Sequence, residues 1–372
     1  MIFIKPFLGL RLWDNSRNDY SIQSSMLEFN IPEILKNLDQ GLYECEKIPS
    51  YYIYQQINSD YKSTGLVALT ATDLINNSTV KTHEEILLEK LAITKENLQT
   101  LSIQVNPVLL VYEDNAYINE FINEVIKTPA ATTILTDDNT THKFWIINDS
   151  FQIKKINNLY QAINLICVGD GHHRTKAISN LFIEESDTAM HYQYFLSILV
   201  PKSQVIVKCY NRTLYDLNGH NEHQFINLLK NYFLISETTG LSSPSITLYL
   251  AEKWYNLTLK QEVIDQLKPI DELEPFVIEN FILTPLLGDV KQAYNEKIGF
   301  IHGEIDFNDY LLNNTDKKIH SAIFGSSITM DDIFTIANSN KKIPPNSTWI
   351  LPKIPNGFIN YQFTHHDETY DY

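Results

Sequence analysis

Apolar and polar positions along this 372-residue chain follow two periods. Short apolar runs of strand-like composition occur at Tyr51–Ile57, Gly65–Ala71, Pro107–Tyr112, Lys143–Ile147, Ile163–Val168, Gln193–Val200 and Gln204–Tyr210. Helical spacing is clearest over Glu84–Leu91, at Ile118, Phe121, Ile122 and Val125, over Lys176–Ile183, and at Phe225, Leu228, Leu229 and Phe233. The two kinds mix without strict alternation, which predicts an α+β fold with a mixed sheet and not a doubly wound parallel one. Pro201-Lys202-Ser203, between two strand-like runs, reads as a hairpin turn.

Polar residues and Gly219 gather over Asn211–Gln224 and predict a domain boundary there. Residues 1–215 are expected to form one domain and residues 216–372 a smaller α+β C-terminal extension. In the extension, Ile246–Ala251 and Trp254–Leu259 read as a hairpin, with helices near Glu262–Leu267 and Met330–Ala337. The polar, acidic stretch Thr364–Tyr372 reads as a frayed tail.

The densest chemistry lies where the apolar run at Ile163–Val168 meets the helical pattern of Ala177, Ile178, Leu181 and Phe182. Between them stands Gly169-Asp170-Gly171-His172-His173-Arg174-Thr175. Two glycines let backbone approach a ligand closely, and the first turn of the helix offers unpaired N–H groups and a positive dipole end. Arg174 adds a fork of donors suited to phosphate. These residues read as a phosphate-binding turn, although the Gly-Lys-Ser/Thr ending of a P-loop is absent. The bland alternative is a tight strand-to-helix turn whose Asp170 caps the helix and whose Arg174 pairs with a nearby carboxylate.

Charge and cysteine usage narrow the partners. A net charge of −16 argues against nucleic acid, since a binder of phosphate backbone needs a basic face. Cys45, Cys167 and Cys209 are few, odd in number and widely spaced, which suggests neither a disulfide framework nor a metal motif and fits a reducing cytoplasm. Cys167, in an apolar run, reads as a packed core residue. The apolar N-terminus is interrupted by Lys5, Pro6 and Arg11, and no apolar run approaches the ~20 residues of a membrane span, so no membrane partner is expected. The oligomeric state is open, with a homodimer as one expectation.

A second constellation is Lys81-Thr82-His83-Glu84-Glu85, followed by Leu87, Leu88 and Leu91. Thr82 with Glu85 three residues on satisfies a capping box, and acids in a first helical turn complement the dipole. A transition-metal site of His83, His142, His172 and His173 is disfavoured because adjacent histidines seldom ligate one ion and no zinc-type spacing occurs. A serine hydrolase lacks its G-x-S-x-G elbow, and sulfinic-acid chemistry lacks a reactive cysteine at the turn.

Asp170-Gly171-His172-His173-Arg174 followed by a helix closely resembles the signature of a large bacterial and archaeal family of unknown function. That family is distantly related to archaeal free-serine kinase and to the ParB/sulfiredoxin superfamily. The resemblance covers nearly the whole chain. Lys5-Pro6-Phe7, Tyr51-Tyr52-Ile53-Tyr54, His83-Glu84-Glu85, His142 with Trp145, Asn211-Arg212, Ile343–Thr348 and Pro352-Lys353 all look like its landmarks. One departure is Asn346, which stands where the pattern has a lysine.

The resemblance implies a ParB/sulfiredoxin-like nucleotide-binding core in residues 1–215. The implied activity is phosphoryl transfer to the hydroxyl of a small metabolite such as free serine. Glu84 would be the base, with Asp170 and His172 beside it in the chemistry. Gly169, Gly171, His172, His173, Arg174, Thr175 and Arg212 would hold ATP or ADP, and Asp170 or Glu84 a Mg²⁺ ion. A module that binds nucleotide without transfer and signals to a partner protein is the alternative.

Overall fold

The computed structural model describes residues 1–12, 21–22, 36, 40, 43–184, 189–241, 246–294, 296–307, 310, 319–325, 328–339 and 341–363. The tail expected over Thr364–Tyr372 lies outside the described residues. Two compact units emerge. Met1–Thr82, Ile86–Val205 and Pro352–Tyr372 make the first, and His83–Glu85 with Ile206–Leu351 the second.

The first unit is built on a mixed sheet of ten described strands. Its labelled elements are β1 Tyr51–Ile57, β2 Lys62–Ala71, β3 Val80–Lys81, α1 Leu88–Leu101, β4 Val108–Tyr112 and α2 Ala116–Val125. They continue with β5 Thr132–Thr136, β6 Thr141–Ile147, α3 Ser150–Gln161, β7 Ile166–Asp170, α4 His172–Glu184 and β8 Tyr194–Pro201. The strand order runs Ser21–Ile22, β5, β6, β1, β2, β8, β4, β7, β3, and Ile4–Lys5 pairs with β2. The pairing is antiparallel except for Ser21–Ile22 with β5, β8 with β4 and β7 with β3.

Sequence explains the centre of this sheet. In β1 the side chains Tyr51, Tyr52, Ile53 and Tyr54 are all buried, and in β4 every residue from Val108 to Tyr112 is. Strands covered on both faces read as continuous β-branched and aromatic runs. Helix α4 turns Ala177, Ile178 and Leu181 inward and leaves Lys176 in solvent. A four-stranded sheet of Tyr43–Cys45, Leu10–Leu12, Ile359–Gln362 and Ile103–Gln104 completes the unit.

The second unit carries an antiparallel sheet. Its elements are β9 Ile206–Leu214, α5 Glu222–Leu229, β10 Phe233–Thr238, β11 Ile246–Leu250 and β12 Lys253–Leu259. They are followed by β13 Ile298–His302, β14 Ser321–Phe324, α6 Met330–Asn338 and β15 Thr348–Leu351. The order is β10, β12, β11, β14, β9, β13, with β15 on the first half of β9. Among the described residues no helix is long and apolar enough to cross a membrane.

Three local expectations are corrected. The turn at Pro201-Lys202-Ser203 does not close a hairpin: β8 already has β2 on one side and β4 on the other, and β9 pairs elsewhere. Phe233 opens strand β10 instead of ending helix α5. The segment His83–Glu85 is not the start of a helix; Glu84 forms a parallel bridge with Ile343, and helix α1 begins at Leu88. Long-range backbone bonds from Glu85 N to Ile343 O and from Ile343 N to His83 O, each 2.9 Å, take the place of the expected capping box.

Candidate functional site

The structure sorts the expected site residues into two groups. Gly169, Asp170, Gly171, His172, His173, Arg174 and Thr175 stand together in the first unit, and Glu84 and Arg212 belong to the second.

The first group is a strand, a one-residue turn and a helix. Strand β7 slips register against β4 between Val168 and Asp170, a bulge at which a Cβ on Gly169 would come within 3.0 Å of Val111. Gly171 then takes φ +99°, a conformation that L side chains avoid. The Gly171 carbonyl accepts from both the N–H and the hydroxyl of Thr175, each at 2.9 Å, and this starts α4. Glycine ahead of the helix has no side chain to cap it. The N–H groups of His172, His173 and Arg174 therefore belong to a first turn whose positive end faces out of the strand.

Arg174 is used from within. Its Nη1 donates at 2.8 Å to the carbonyl oxygens of Asn106 and of Pro107, and also bonds Asn106 Oδ1. Its Nη2 donates to Asp170 Oδ2 at 2.6 Å. The guanidinium lies over Gly171, where a Cβ would stand 3.0 Å from Cζ. This is the pairing with a nearby carboxylate that the bland reading of the turn predicts. Lys353 donates to the other oxygen, Asp170 Oδ1, at 2.6 Å. Burial alone would raise the Asp170 carboxyl, but Lys353 and Arg174 hold it well below the usual carboxylate range.

His173 accepts from Leu87 N at 2.9 Å through Nε2, and burial keeps its ring below the usual histidine range, helped by Lys90 and Arg174. It is therefore a neutral imidazole with its proton on Nδ1. His172 is buried at the first helical position. Asn106 also bonds Asn356 by side chain, and Gly357 N donates to Val105 O at 2.8 Å. Three stretches of chain thus meet at the turn: Val105–Pro107, Gly169–Thr175 and Lys353–Gly357. The part played by Asn106 and Asn356 carries no sequence signal beyond an Asn-Pro step before a strand.

The second group centres on Glu84, only 6% exposed. Its Oε1 accepts from Asn346 N at 2.8 Å, and its Oε2 from Ser347 N and Thr348 Oγ1, each at 3.3 Å. Burial raises its carboxyl to about 7, against the opposing pull of those donors and of Arg212. Asn346 reaches this geometry at φ +51°, in the left-handed region that asparagine tolerates. His83 Nε2 lies 3.2 Å from Thr348 Oγ1. Arg212 turns Nη2 to Ser347 Oγ at 3.0 Å and Nη1 to the Tyr210 carbonyl, and its guanidinium lies 5.4 Å over Phe300. Among the described residues its buried Nε meets no hydrogen-bond partner.

The donors do not compose a metal centre. Both oxygens of Asp170 face cations, both oxygens of Glu84 already accept hydrogen bonds, and no cluster of three or more His, Cys, Asp and Glu among the described residues is placed to hold an ion. Two cations around one carboxylate, beside helix N–H groups, suit an anion instead. Cys167 is fully buried, and burial pushes its thiol up to about 12, so it is a packed core residue.

Residues 32–276 match the model of a family described as a protein of unknown function, DUF1015. No curated protein matches the sequence. Solved structures with some likeness include SbnI with C-terminal truncation from Staphylococcus aureus, at 10% identity and TM-score 0.44, covering 78% of this chain and 87% of that one. A conserved hypothetical protein from Pyrococcus furiosus is 12% identical at TM-score 0.42, with 80% and 95% covered. Free serine kinase in complex with AMP is 11% identical at TM-score 0.40, with 84% and 95% covered.

Proposed function

The chain belongs to this family of unknown function, and we propose that it binds a nucleotide through its phosphates at the Asp170–Thr175 turn and transfers a phosphoryl group to the hydroxyl of a small metabolite. The observation that supports this is the turn itself. Gly171 at φ +99° opens helix α4, and Lys353 and Arg174 stand on the one carboxylate of Asp170, leaving the turn cationic in a chain of net charge −16. Phosphate is the anion that helix N–H groups and paired cations recognise. His172, His173 and Thr175 complete the turn, with free serine as the leading acceptor. The donor set argues no step through Mg²⁺.

Transfer needs a proton acceptor. In the step, the acceptor hydroxyl oxygen bonds to phosphorus, the bond from phosphorus to the leaving phosphate oxygen breaks, and the hydroxyl proton passes to a carboxylate. We assign that carboxylate to Glu84, whose carboxyl titrates near neutrality at about 7, where a general base works best. Its commitment to Asn346 N, Ser347 N and Thr348 Oγ1 favours a second reading, a brace in a nucleotide-binding module without transfer.

The purified chain incubated with ATP or ADP, divalent cation and a panel of hydroxy amino acids, with product read by mass spectrometry, separates the two. Glu84→Gln is expected to lower kcat by ~10² or more and to leave nucleotide affinity almost unchanged. Nucleotide binding by the wild type without any phosphorylated product selects the module, and absence of nucleotide binding overturns both readings.

A further inference from the structure

The turn holds two cations, and their surroundings give them different work. Arg174 sends Nη1 to the carbonyls of Asn106 and Pro107 at 2.8 Å and Nη2 to Asp170 at 2.6 Å. Its side chain is 17% exposed. Turning this fork towards a ligand would give up its bonds to two backbone carbonyls, to the Asn106 side chain and to Asp170 together, although Asn106 O keeps Gln104 Nε2 at 3.1 Å. The guanidinium also packs on Gly171, the residue that sets the direction of the turn.

Lys353 is differently placed. Its Nζ reaches Asp170 Oδ1 at 2.6 Å, and its side chain is 33% exposed. An ammonium on a flexible four-carbon stem carries three donors and no planar constraint, so its bond to Asp170 Oδ1 does not use up its capacity for a further acceptor. Asp170 binds both cations through separate oxygens and so fixes Lys353 beside the first turn of α4.

We propose that Lys353 is the cation that contacts the phosphates of the bound nucleotide, while Arg174 shapes the turn and Asp170 aims Lys353. The assignment rests on the nucleotide reading above and adds to it a residue from the stretch Lys353–Gly357. It makes the site selective for the charged end of the ligand: a nucleoside diphosphate gains from Lys353, and the bare nucleoside does not.

Calorimetric titration of ADP and of adenosine into the full chain tests this. Lys353→Met is expected to weaken ADP by about 10- to 100-fold, the range for a hydrogen bond to a charged group, and to leave adenosine binding near wild type, with only a small drop in melting temperature because Asp170 keeps Arg174. Lys353→Arg keeps the charge and should retain most of the ADP affinity. Lys353→Met should also flatten the dependence of ADP affinity on salt. Arg174→Met should instead lower the melting temperature and weaken both ligands together. Equal ADP affinity in wild type and Lys353→Met, or an equal loss for ADP and adenosine, overturns the assignment alone. A wild-type chain that binds neither ligand overturns the nucleotide reading and this one with it.

Discussion

At the scale of single residues, burial has decided which titratable groups carry charge. His142 is 1% exposed, with Nδ1 at 2.7 Å from the Tyr54 hydroxyl and Phe358 edge-on at 4.8 Å between centroids. Burial lowers its ring to about 4, while Asp138 pulls the other way. The unfolded chain therefore takes up this proton near pH 6.5 and the folded chain only near 4, so stability falls as pH drops through that window. The loss attributable to His142 between pH 7 and pH 4 is about 3 kcal/mol. Denaturant unfolding of wild type and of His142→Gln at both pH values checks it, because glutamine can still accept from Tyr54 but does not titrate. Parallel losses in the two proteins would contradict the assignment.

At the scale of elements, the strand–turn–helix depends on Gly171. Alanine there is strained twice, by φ +99° and by a Cβ 3.0 Å from the Arg174 guanidinium. Gly171→Ala is expected to cost about 1–3 kcal/mol and to weaken nucleotide more than the stability loss explains, since Arg174 must move. A melting curve and a titration on one preparation measure both effects. This element is legible in the sequence because its signals are local: an apolar run, two glycines and a helical stripe. Even so, β7 spans Ile166–Asp170, later than the apolar run at Ile163–Val168, because Ile163 N still bonds Tyr160 O at the end of α3. Helix α3 itself has a legible start, with Asp149 accepting from Gln152 N at 2.9 Å, yet its buried Ile153, Ile156 and Tyr160 are diluted by polar neighbours. The place of Glu84 was not legible at all. Its partners lie more than 260 residues away, and a nearby capping pattern competes for the same residues.

At the scale of the whole molecule, chain order and spatial order differ. Composition marks a change near Asn211–Gln224, but pairing sends His83–Glu85 into the second unit and Pro352–Tyr372 into the first. Local composition has no access to such returns, which depend on strand partners distant in sequence. Strand Ile359–Gln362 stands between Leu10–Leu12 and Ile103–Gln104, and Phe358, Ile359, Tyr361 and Phe363 are all buried. A chain ending at Leu351 is therefore expected to lose stability in the first unit, with amide exchange rising in Leu10–Leu12 and Ile103–Gln104. Exchange that rises only in the second unit would contradict this placement of the segment.

Lys353 and Asp170 are separated by 183 positions, and Arg174 reaches back 68 to Asn106. A pairing of that span closes a long loop, whose entropy is lost before its contacts reward it. A ligand held by all three stretches recognises no partially folded form. If nucleotide binds there as proposed, its binding energy is added to the native state, and the melting temperature of the first unit rises with nucleotide concentration.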